Sequence, residues 1–340
     1  MTVLLGFAAM AIDIGLFFED RRHLQNSADA MALAGVQELP SNPASAISKA
    51  KTWATNNGIQ AGEIETVEVR TKSYPNDTLY VKLDREFSWV FGRVLGKTVD
   101  DVGAAAAART GSLSGGNNMM PWALLFGDSD CLDSEGNPIY TNTCIVKVGH
   151  NSIVDGWRGA LDMDGNGGGS AEYKANILDG ETAWKYCIAG DPAPGCVSSV
   201  TIIDALDGNK VGPTGSGIEE RWLQGAQCDS NGNGKDDFNE LFIPNPGGDP
   251  TYTVNCPYSP WLVIIPIVSY ETTPVKKVTI RGWTLGYLDS YGCVGAQNCA
   301  SGKGHWEVQI KMVDAAYSQN AGFLGAYDPD SSILIRRLVE

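Results

Sequence analysis

The sequence predicts an α+β protein with a long amino-terminal helix, a small α+β domain and a larger, mainly β domain. Three observations support this class. No proline interrupts residues 1–38, a helix-and-hairpin pattern occupies residues 39–110, and short alternating segments separated by Gly, Asn and Pro fill residues 119–340. The Gly/Ser-rich segment 111–118 between the last two regions is typical of a linker. With 340 residues, the chain is long enough for two or three modest domains with real cores.

Residues 1–38 are predicted to form one continuous hydrophobic helix, about 55 Å long at ~1.5 Å per residue. Its first part, Met1 to Phe18, is barely long enough to span a bilayer and lacks the basic start of a signal peptide. Asp13 interrupts this apolar run, and a carboxylate in mid-membrane costs about 2.5–3.5 kcal/mol on insertion scales. Either Asp13 meets a donor in a bundle of like helices, such as a neighbour's amino terminus, an Arg or a hydroxyl, or it is a protonated or interfacial residue of a simple membrane anchor.

The second half of this helix is amphipathic. One stripe, at spacings of three and four residues, contains Leu24, Ala28, Met31, Ala32, Gly35 and Val36. Because Ala28, Ala32 and Gly35 are small, the stripe allows another backbone to approach closely. A second helix is expected next, with Ser41 or Asn42 as its cap, Pro43 in its first turn and Gly58 at its end.

Alternating apolar residues predict the strands. Residues 67–71 and 79–83 form a hairpin pattern, and residues 99–109 are ambiguous because Ala favours helix; we interpret them as a closing strand. In the carboxy-terminal region, residues 261–270 predict a buried strand bent by a proline, and residues 305–313 alternate well. The shared face of that last strand contains Trp306, Val308, Ile310 and Met312.

All eight cysteines lie after residue 130. An even number without CxxC pairs is typical of disulfides formed in an oxidising compartment, and buried free thiols are the alternative. Zinc is disfavoured because none of the three histidines adjoins a cysteine pair. We expect neighbours along the chain to pair, since each disulfide then closes a short loop. The expected pairs are Cys131 with Cys144, Cys187 with Cys196, Cys228 with Cys256, and Cys293 with Cys299.

The segment DSNGNGKDDFNE fits the calcium-loop pattern D-x-[DN]-x-[DN]-G-x5-E at every specified place. The expected calcium ligands are Asp229, Asn231, Asn233, Lys235 through its carbonyl, Asp237 and a bidentate Glu240. Position 8 is Asp236 rather than an aliphatic residue that would pair with a sister loop. We therefore predict an isolated structural calcium clip, with an Asn/Gly-rich turn that binds no metal as the alternative.

A second segment, DMDGNGGGS, carries the first half of the same pattern in Asp162, Asp164 and Asn166. Its twelfth place is Tyr173, which is not an acid. A metal site and a plain turn are therefore equally supported there.

Two function classes are disfavoured. The formal net charge is −15 and no large basic cluster occurs, which argues against a nucleic-acid partner. The sequence contains no GxSxG, Walker or HExxH motif, and its isolated histidines suggest no catalytic triad. We therefore expect that the protein is not an enzyme.

The segment AIDIGLFFEDRRHLQNSADAMALAG resembles the amino-terminal signature of TadE/TadG-like proteins of the tight-adherence (Flp) pilus system. The residues that match this signature are Asp13, Gly15, Arg21, Leu24, Gln25, Asp29, Ala30, Ala32, Leu33, Ala34 and Gly35. The resemblance is firm over the amino-terminal helix and looser downstream. One departure from ordinary type IV pilins is that residues 1–12 contain no acid where those pilins carry a glutamate.

This resemblance implies a pilin-like or pseudopilin-like secreted protein, with the helix in a filament core, residues 39–110 as a pilin-like head and residues 119–340 displayed outside. The candidate assembly residues are Asp13, Gly15, Arg21 and Arg22. We therefore predict a structural subunit of an extracellular type IV or Tad-like filament. It would be a homo-oligomer joined through the amino-terminal helices and inserted in the inner membrane before assembly.

Two alternatives belong to other classes. The first is a membrane-anchored minor pseudopilin that assists pilus assembly without polymerising. The second is a calcium-stabilised adhesin or carbohydrate-binding module on a helical stem, with a surface or glycan target.

Overall fold

The computed structural model divides the chain into two units, residues 1–111 with 336–340, and residues 112–335. It describes residues 2–339 apart from 117–118, 129, 141, 150–152, 155, 168, 181–185, 191–195, 197–199, 246–251, 294–305, 317–322 and 328–332. The side chains of residues 2–5, 8, 293, 316 and 323 also lie outside the description.

Two α-helices precede three strands in the first unit, and strands dominate the second. The described α-helices are α1 Thr2–Gly35, α2 Pro43–Asn56, α3 Ser170–Asp179, α4 Val211–Trp222 and α5 Phe238–Leu241, and 3₁₀ turns lie at Val36–Glu38, Ala61–Glu63 and Gly92–Leu95. The described strands are β1 Ile64–Arg70, β2 Thr78–Ser88, β3 Val99–Gly116, β4 Leu124–Leu125, β5 Thr143–Val148, β6 Leu161–Asp162, β7 Tyr186–Cys187, β8 Ile202–Ala205, β9 Phe242–Pro244, β10 Tyr252–Val254, β11 Leu262–Ser269, β12 Lys277–Cys293, β13 Trp306–Met312, β14 Ala315–Ala316, β15 Phe323–Leu324 and β16 Ile333–Leu338. The α+β class with a mainly β carboxy-terminal region is confirmed.

The second half of α1 packs into the core of its own unit. Leu24, Ala28 and Met31 are fully buried and lie in one cluster with apolar residues of α2 and β2. The small residues of the predicted stripe therefore serve an intrachain contact, with α2 as the backbone that approaches. The α-helix ends at Gly35, and residues 36–38 form a 3₁₀ turn instead of continuing it.

The predicted elements of the small domain are present. Asn42 caps α2 by accepting a hydrogen bond from the Ser45 backbone N–H at 3.0 Å. Strands β1, β2 and β3 pair antiparallel in that order. The Ala-rich segment is a strand, as interpreted, because Ala104, Ala106 and Ala108 belong to the core cluster that covers the helices. Packing of these small side chains outweighs the helix propensity of Ala.

Gly35 provides the tightest approach between α1 and α2. A Cβ at this position would lie 2.6 Å from the Ala46 carbonyl oxygen and 2.2 Å from Leu79 Cδ2, although the backbone angles of Gly35 suit any residue. We expect Gly35→Ala to lower the free energy of unfolding by about 1–3 kcal/mol, since the backbone oxygen cannot move aside. Gly15→Ala is the matched control, because a Cβ there meets nothing within 4 Å; a mid-helix alanine should be neutral or stabilising by about 0.5–1 kcal/mol. Urea denaturation of both variants checks this, and equal midpoints would contradict the steric explanation.

The expected linker is wrong over most of its length. Residues 111–116 are the last part of β3, and residues 117–118 lie outside the description. Gly115 serves strand packing, because a Cβ there would lie 2.2 Å from the Tyr186 carbonyl oxygen and 2.4 Å from Cys187 Sγ. Leu113 is buried in the core of the second unit, so this segment is not a solvated tether.

A seven-stranded sheet forms the centre of the second unit, with the order β4-β11-β12-β13-β5 and with β8 joining β12 to β6. Pro266 lies within β11, as predicted, and β13 buries Val308, Ile310 and Met312 on one face while Trp306 is half-buried. Helices α3 and α4 pack against each other, and Gly217 of α4 allows Ile177 of α3 to approach. Most of the predicted carboxy-terminal domain is therefore one β-rich body.

The end of the chain belongs to the first unit. Leu338 packs against its core, and the Val339 backbone N–H donates to the Ala107 carbonyl oxygen at 2.8 Å. The predicted boundary at residue 340 therefore differs from the structure, which ends the second unit at residue 335. The spacing of residues in the sequence does not predict that the chain end joins the first unit. That position depends on a strand contact between residues far apart in the chain.

Candidate functional site

Asp13 is bound by its own chain. It is 2% exposed, and its carboxylate accepts three backbone hydrogen bonds, from Val90 at 3.1 Å, Phe91 at 2.9 Å and Gly92 at 2.7 Å. The sequence predicted a donor from a bundle of like helices or, as the alternative, a protonated or interfacial Asp13 in a simple membrane anchor. The structure instead supplies an anion nest from the segment that opens the third 3₁₀ turn. Asp13 therefore ties the apolar half of α1 to the segment between β2 and β3.

Aromatic packing supports the same contact. The Phe17 ring stacks on Trp89, with ring centroids 5.9 Å apart and an angle of 8° between planes, and meets Phe87 edge-on at 5.3 Å. Trp89 Nε1 donates to the Asp100 carboxylate at 2.9 Å. These contacts fix the start of the segment whose amides bind Asp13.

Two further residues of the amino-terminal segment also attach α1 to its own sheet. Gln25 Nε2 donates to the Ala105 carbonyl oxygen of β3 at 3.0 Å and to Asp29 Oδ1 at 2.8 Å. Asp20 forms an ion pair with Arg85, which also pairs with Glu63. Much of the signature region is thus explained by contacts within one copy of the chain.

The other predicted assembly residues are solvent-facing. Arg21 and Arg22 are exposed, and Gly15 is exposed with nothing within 4 Å of the position of a Cβ. The structure brings none of these three to Asp13, whose side chain is buried.

Apart from the face that carries Asp13, the described first half of α1 exposes mainly apolar side chains. Six large apolar side chains of this half, which we call the apolar helix surface, are 39–67% exposed: Phe7, Met10, Ile12, Ile14, Leu16 and Phe18.

Beside Met10 and Ile14, the segment after β2 adds Phe91, Val94 and Leu95, and together they line a groove of about 480 Å³. Val94 is 88% exposed. Exposed apolar patches of this kind usually mark contact sites for other proteins or for a membrane. Within the described residues, no helix combines the length and apolarity needed to cross a membrane.

Residues 1–38 match the protein family described as "Putative Flp pilus-assembly TadE/G-like". The amino-terminal segment is TadE/G-like. The resemblance identified in the sequence is therefore confirmed, and it associates the chain with Flp pilus assembly and with a cell-surface or pilus-associated location. No curated protein and no solved structure matches the chain. The TadE/G-like segment coincides with α1 and the 3₁₀ turn that follows it, so it includes both the apolar helix surface and the Asp13 contact.

Downstream of the TadE/G-like segment, the second unit contains three disulfides that agree with the expected pairing. They join Cys131 to Cys144, Cys187 to Cys196 and Cys228 to Cys256, with Cα–Cα distances of 5.8, 5.7 and 6.2 Å. The expected pair of Cys293 with Cys299 cannot be compared, because the Cys293 side chain and Cys299 lie outside the description. The third disulfide closes the base of the predicted calcium loop, because Cys228 immediately precedes Asp229.

The loop 229–240 is closed by hydrogen bonds among its own residues. Asp229 accepts from the backbone N–H groups of Gly232, Asn233 and Gly234 at 2.6–3.1 Å. Glu240 accepts from Ser230 and from the Asp237 backbone, which completes a capping box at the start of α5. These bonds, foremost the one from the Ser230 hydroxyl, lower the pKa of Glu240.

The side-chain amides of Asn231 and Asn233 present nitrogen, not oxygen, to the Asp237 carboxylate. Asn231 Nδ2 and Asn233 Nδ2 donate to Asp237 Oδ2 at 2.7 and 2.8 Å, and Lys235 Nζ lies 3.0 Å from Asp237 Oδ1. The pKa of Asp237 is lowered, and the contact with Lys235 makes the largest contribution. A cation at the loop centre would require both amides to rotate by about 180° and present Oδ1. The structure thus brings the six predicted ligands into one loop but does not converge their oxygens on one point.

The weaker segment has a different geometry. Oxygens of Asp162, Asp164 and Glu172 lie within 4.8 Å of one another. Asp164 accepts two hydrogen bonds from Asn166, at 2.9 Å from N and 2.7 Å from Nδ2, and Asp162 Oδ2 accepts from Gly167 N at 2.8 Å. Burial, with a further contribution from Asp164, raises the pKa of Asp162. The calcium-loop pattern does not identify Glu172, because it specifies an acid at the twelfth place, whereas α3 begins at Ser170 and its first turn places Glu172 at the eleventh.

Proposed function

We propose that the chain is a structural subunit of an extracellular Flp/Tad-like filament, whose copies pack through the first halves of their α1 helices. One observation carries this proposal: the six side chains of the apolar helix surface remain 39–67% exposed in the described chain. The TadE/G-like match to the same residues supports it. A pilin-like head formed by residues 39–110 and a displayed second unit belong to the same proposal.

The two halves of α1 support a division of tasks. The second half is committed to its own core, so that the head is fixed on the helix. The first half offers six large apolar side chains and an exposed Gly15 where a neighbouring helix can approach closely. Such a neighbour would cover surface that is otherwise in contact with water or lipid.

Immunogold labelling of filaments sheared from cells that produce this chain tests the proposal. A structural subunit labels along the whole filament and is a main component by quantitative mass spectrometry. Label restricted to filament ends, or filaments that lack the chain, would favour a minor pseudopilin. A glycan array probed with the same filaments tests the third class, an adhesin or carbohydrate-binding module.

We also propose that the loop 229–240 binds one calcium ion as a structural clip. Four carboxylates lie within these twelve residues, and a cation relieves their mutual repulsion. Sites in extracellular modules have dissociation constants of about 10⁻⁴–10⁻³ M, which extracellular calcium substantially fills.

Glu240→Gln should remove most of the stabilisation that calcium gives through this loop. The wild type should gain about 2.7 kcal/mol at a hundred times the dissociation constant, because calcium binds only the folded loop. The substituted amide keeps an acceptor oxygen for the capping box but lacks the bidentate carboxylate. Calorimetry in calcium and in chelator measures the gain, with Glu271→Gln, an exposed acid, as the control. If Glu240→Gln keeps the full calcium-dependent shift of the melting temperature, the loop is only a turn.

A further inference from the structure

The segment with Asp162 and Asp164 contains a buried carboxylate oxygen that has no hydrogen-bond donor. Among the predicted ligands of the loop 229–240, no such oxygen occurs. Asp162 is 5% exposed, and its Oδ1 has no hydrogen-bond partner. One carboxylate oxygen of Asp162 lies within 4.8 Å of one oxygen each of Asp164 and Glu172. Buried carboxylate oxygens are normally paired with donors or coordinate a metal.

The backbone around these three acids is fixed from both sides. Asp162 ends β6, where it pairs with Asp204 of β8. The Tyr186 hydroxyl donates to the Met163 carbonyl oxygen, between the first two acids. On the other side, Tyr173 follows Glu172 and is fully buried, where its hydroxyl contacts Trp122 Nε1 at 2.9 Å and Thr214 Oγ1 at 3.1 Å. The convergence of the carboxylates is therefore imposed by the fold.

We propose that Asp162, Asp164 and Glu172 bind one hard divalent cation, calcium, which joins the end of β6 to the first turn of α3. Three carboxylates suit a hard cation, and calcium accepts irregular loop geometry better than magnesium, which demands a near-ideal octahedron. Asn166 would add its amide oxygen after rotation, while Asp162 and Glu172 already approach each other. This site is separate from the loop 229–240 and does not depend on the proposed role in a filament.

Titration calorimetry of the full chain in mild detergent, stripped with chelator and titrated with calcium chloride, tests the proposal. We expect Glu172→Gln to weaken one class of calcium site at least tenfold, and Glu240→Gln to leave that class unchanged. Glu271→Gln is the control for loss of a surface charge. Magnesium chloride should bind this class at least tenfold more weakly than calcium. Absence of calcium binding at millimolar concentration, or the same affinities and stoichiometry in Glu172→Gln, would overturn the proposal.

The sign of the change in melting temperature caused by Asp162→Asn shows whether Asp162 is a cation ligand or only a structural residue. In chelator this variant should melt at a higher temperature than the wild type, because it removes a charge from a crowded, buried carboxylate cluster. The comparison is then repeated with Glu240→Gln present in both proteins. In that background, calcium should raise the melting temperature much less when Asp162→Asn is also present than when Asp162 is kept. A variant that melts lower than the wild type in chelator, and still responds fully to calcium, would show that Asp162 stabilises the fold without a cation.

Discussion

Deletion of residues 1–20 should abolish filament formation and leave a soluble, folded monomer. The six side chains of the apolar helix surface lie within this segment, and each is worth roughly 1.5–3 kcal/mol when fully buried. Their loss removes on the order of 10 kcal/mol of potential association free energy per subunit. The retained part of α1 still contains Leu24, Ala28 and Met31, which form the contact with α2.

Size-exclusion chromatography with light scattering, circular dichroism and electron microscopy of the truncated chain measure this result. Persistent filaments from the truncation would refute the assembly role of the helix. A loss of fold in the truncated chain would show instead that the first half of α1 is part of the core.

Point substitutions give the matched comparison. Ile12→Ser and Leu16→Ser, on the apolar helix surface, should each reduce filament yield sharply while leaving the melting temperature almost unchanged. Trp53→Ser and Leu223→Ser remove side chains that are 43% and 82% exposed elsewhere, and should assemble normally. Equal losses in all four variants would mean that general solubility, rather than a specific surface, controls the yield.

Local rules along the chain were sufficient for many elements. The spacing of Leu24, Ala28 and Met31 located the buried face of α1, because a helix repeats every 3.6 residues. Asn42 and Pro43 marked the start of α2, because their preferences concern only the first helical turn. The three described disulfides also followed from short separations along the chain.

The remaining features depend on contacts across long separations. Gly115 belongs to a strand because Tyr186 and Cys187 approach it, yet its Gly/Ser-rich surroundings are typical of a linker. Glu172 joins Asp162 because α3 begins where it does, which a fixed twelve-residue pattern cannot represent. The partners of Asp13 lie 77–79 residues away, so no local pattern could name them.

Asp13→Ala should release the segment 90–92 from α1. Three backbone N–H groups would lose a charged acceptor, and hydrogen bonds to charged groups contribute about 1.5–3 kcal/mol each. Water replaces part of this loss because Val90 and Phe91 are partly exposed, so we expect at least about 2 kcal/mol of local destabilisation. Hydrogen exchange at these three amides should accelerate about thirtyfold. Amides in the α1–α2 contact should exchange as in the wild type.

The effect of Asp13→Ala on filament yield distinguishes a role of this contact in assembly from the alternative that α1 is a simple membrane anchor. Phe91, Val94 and Leu95 line the groove beside α1, so a released segment no longer completes that surface, and filament yield should fall with the loss of protection. Asp13→Asn keeps one acceptor oxygen and should lie between the wild type and Asp13→Ala, while Glu19→Gln, an exposed neighbour, should change neither measurement. Unchanged exchange at residues 90–92 in Asp13→Ala would contradict the contact itself. Lost protection with full filament yield would show that the segment after β2 takes no part in assembly, and that α1 alone provides the contacts between subunits.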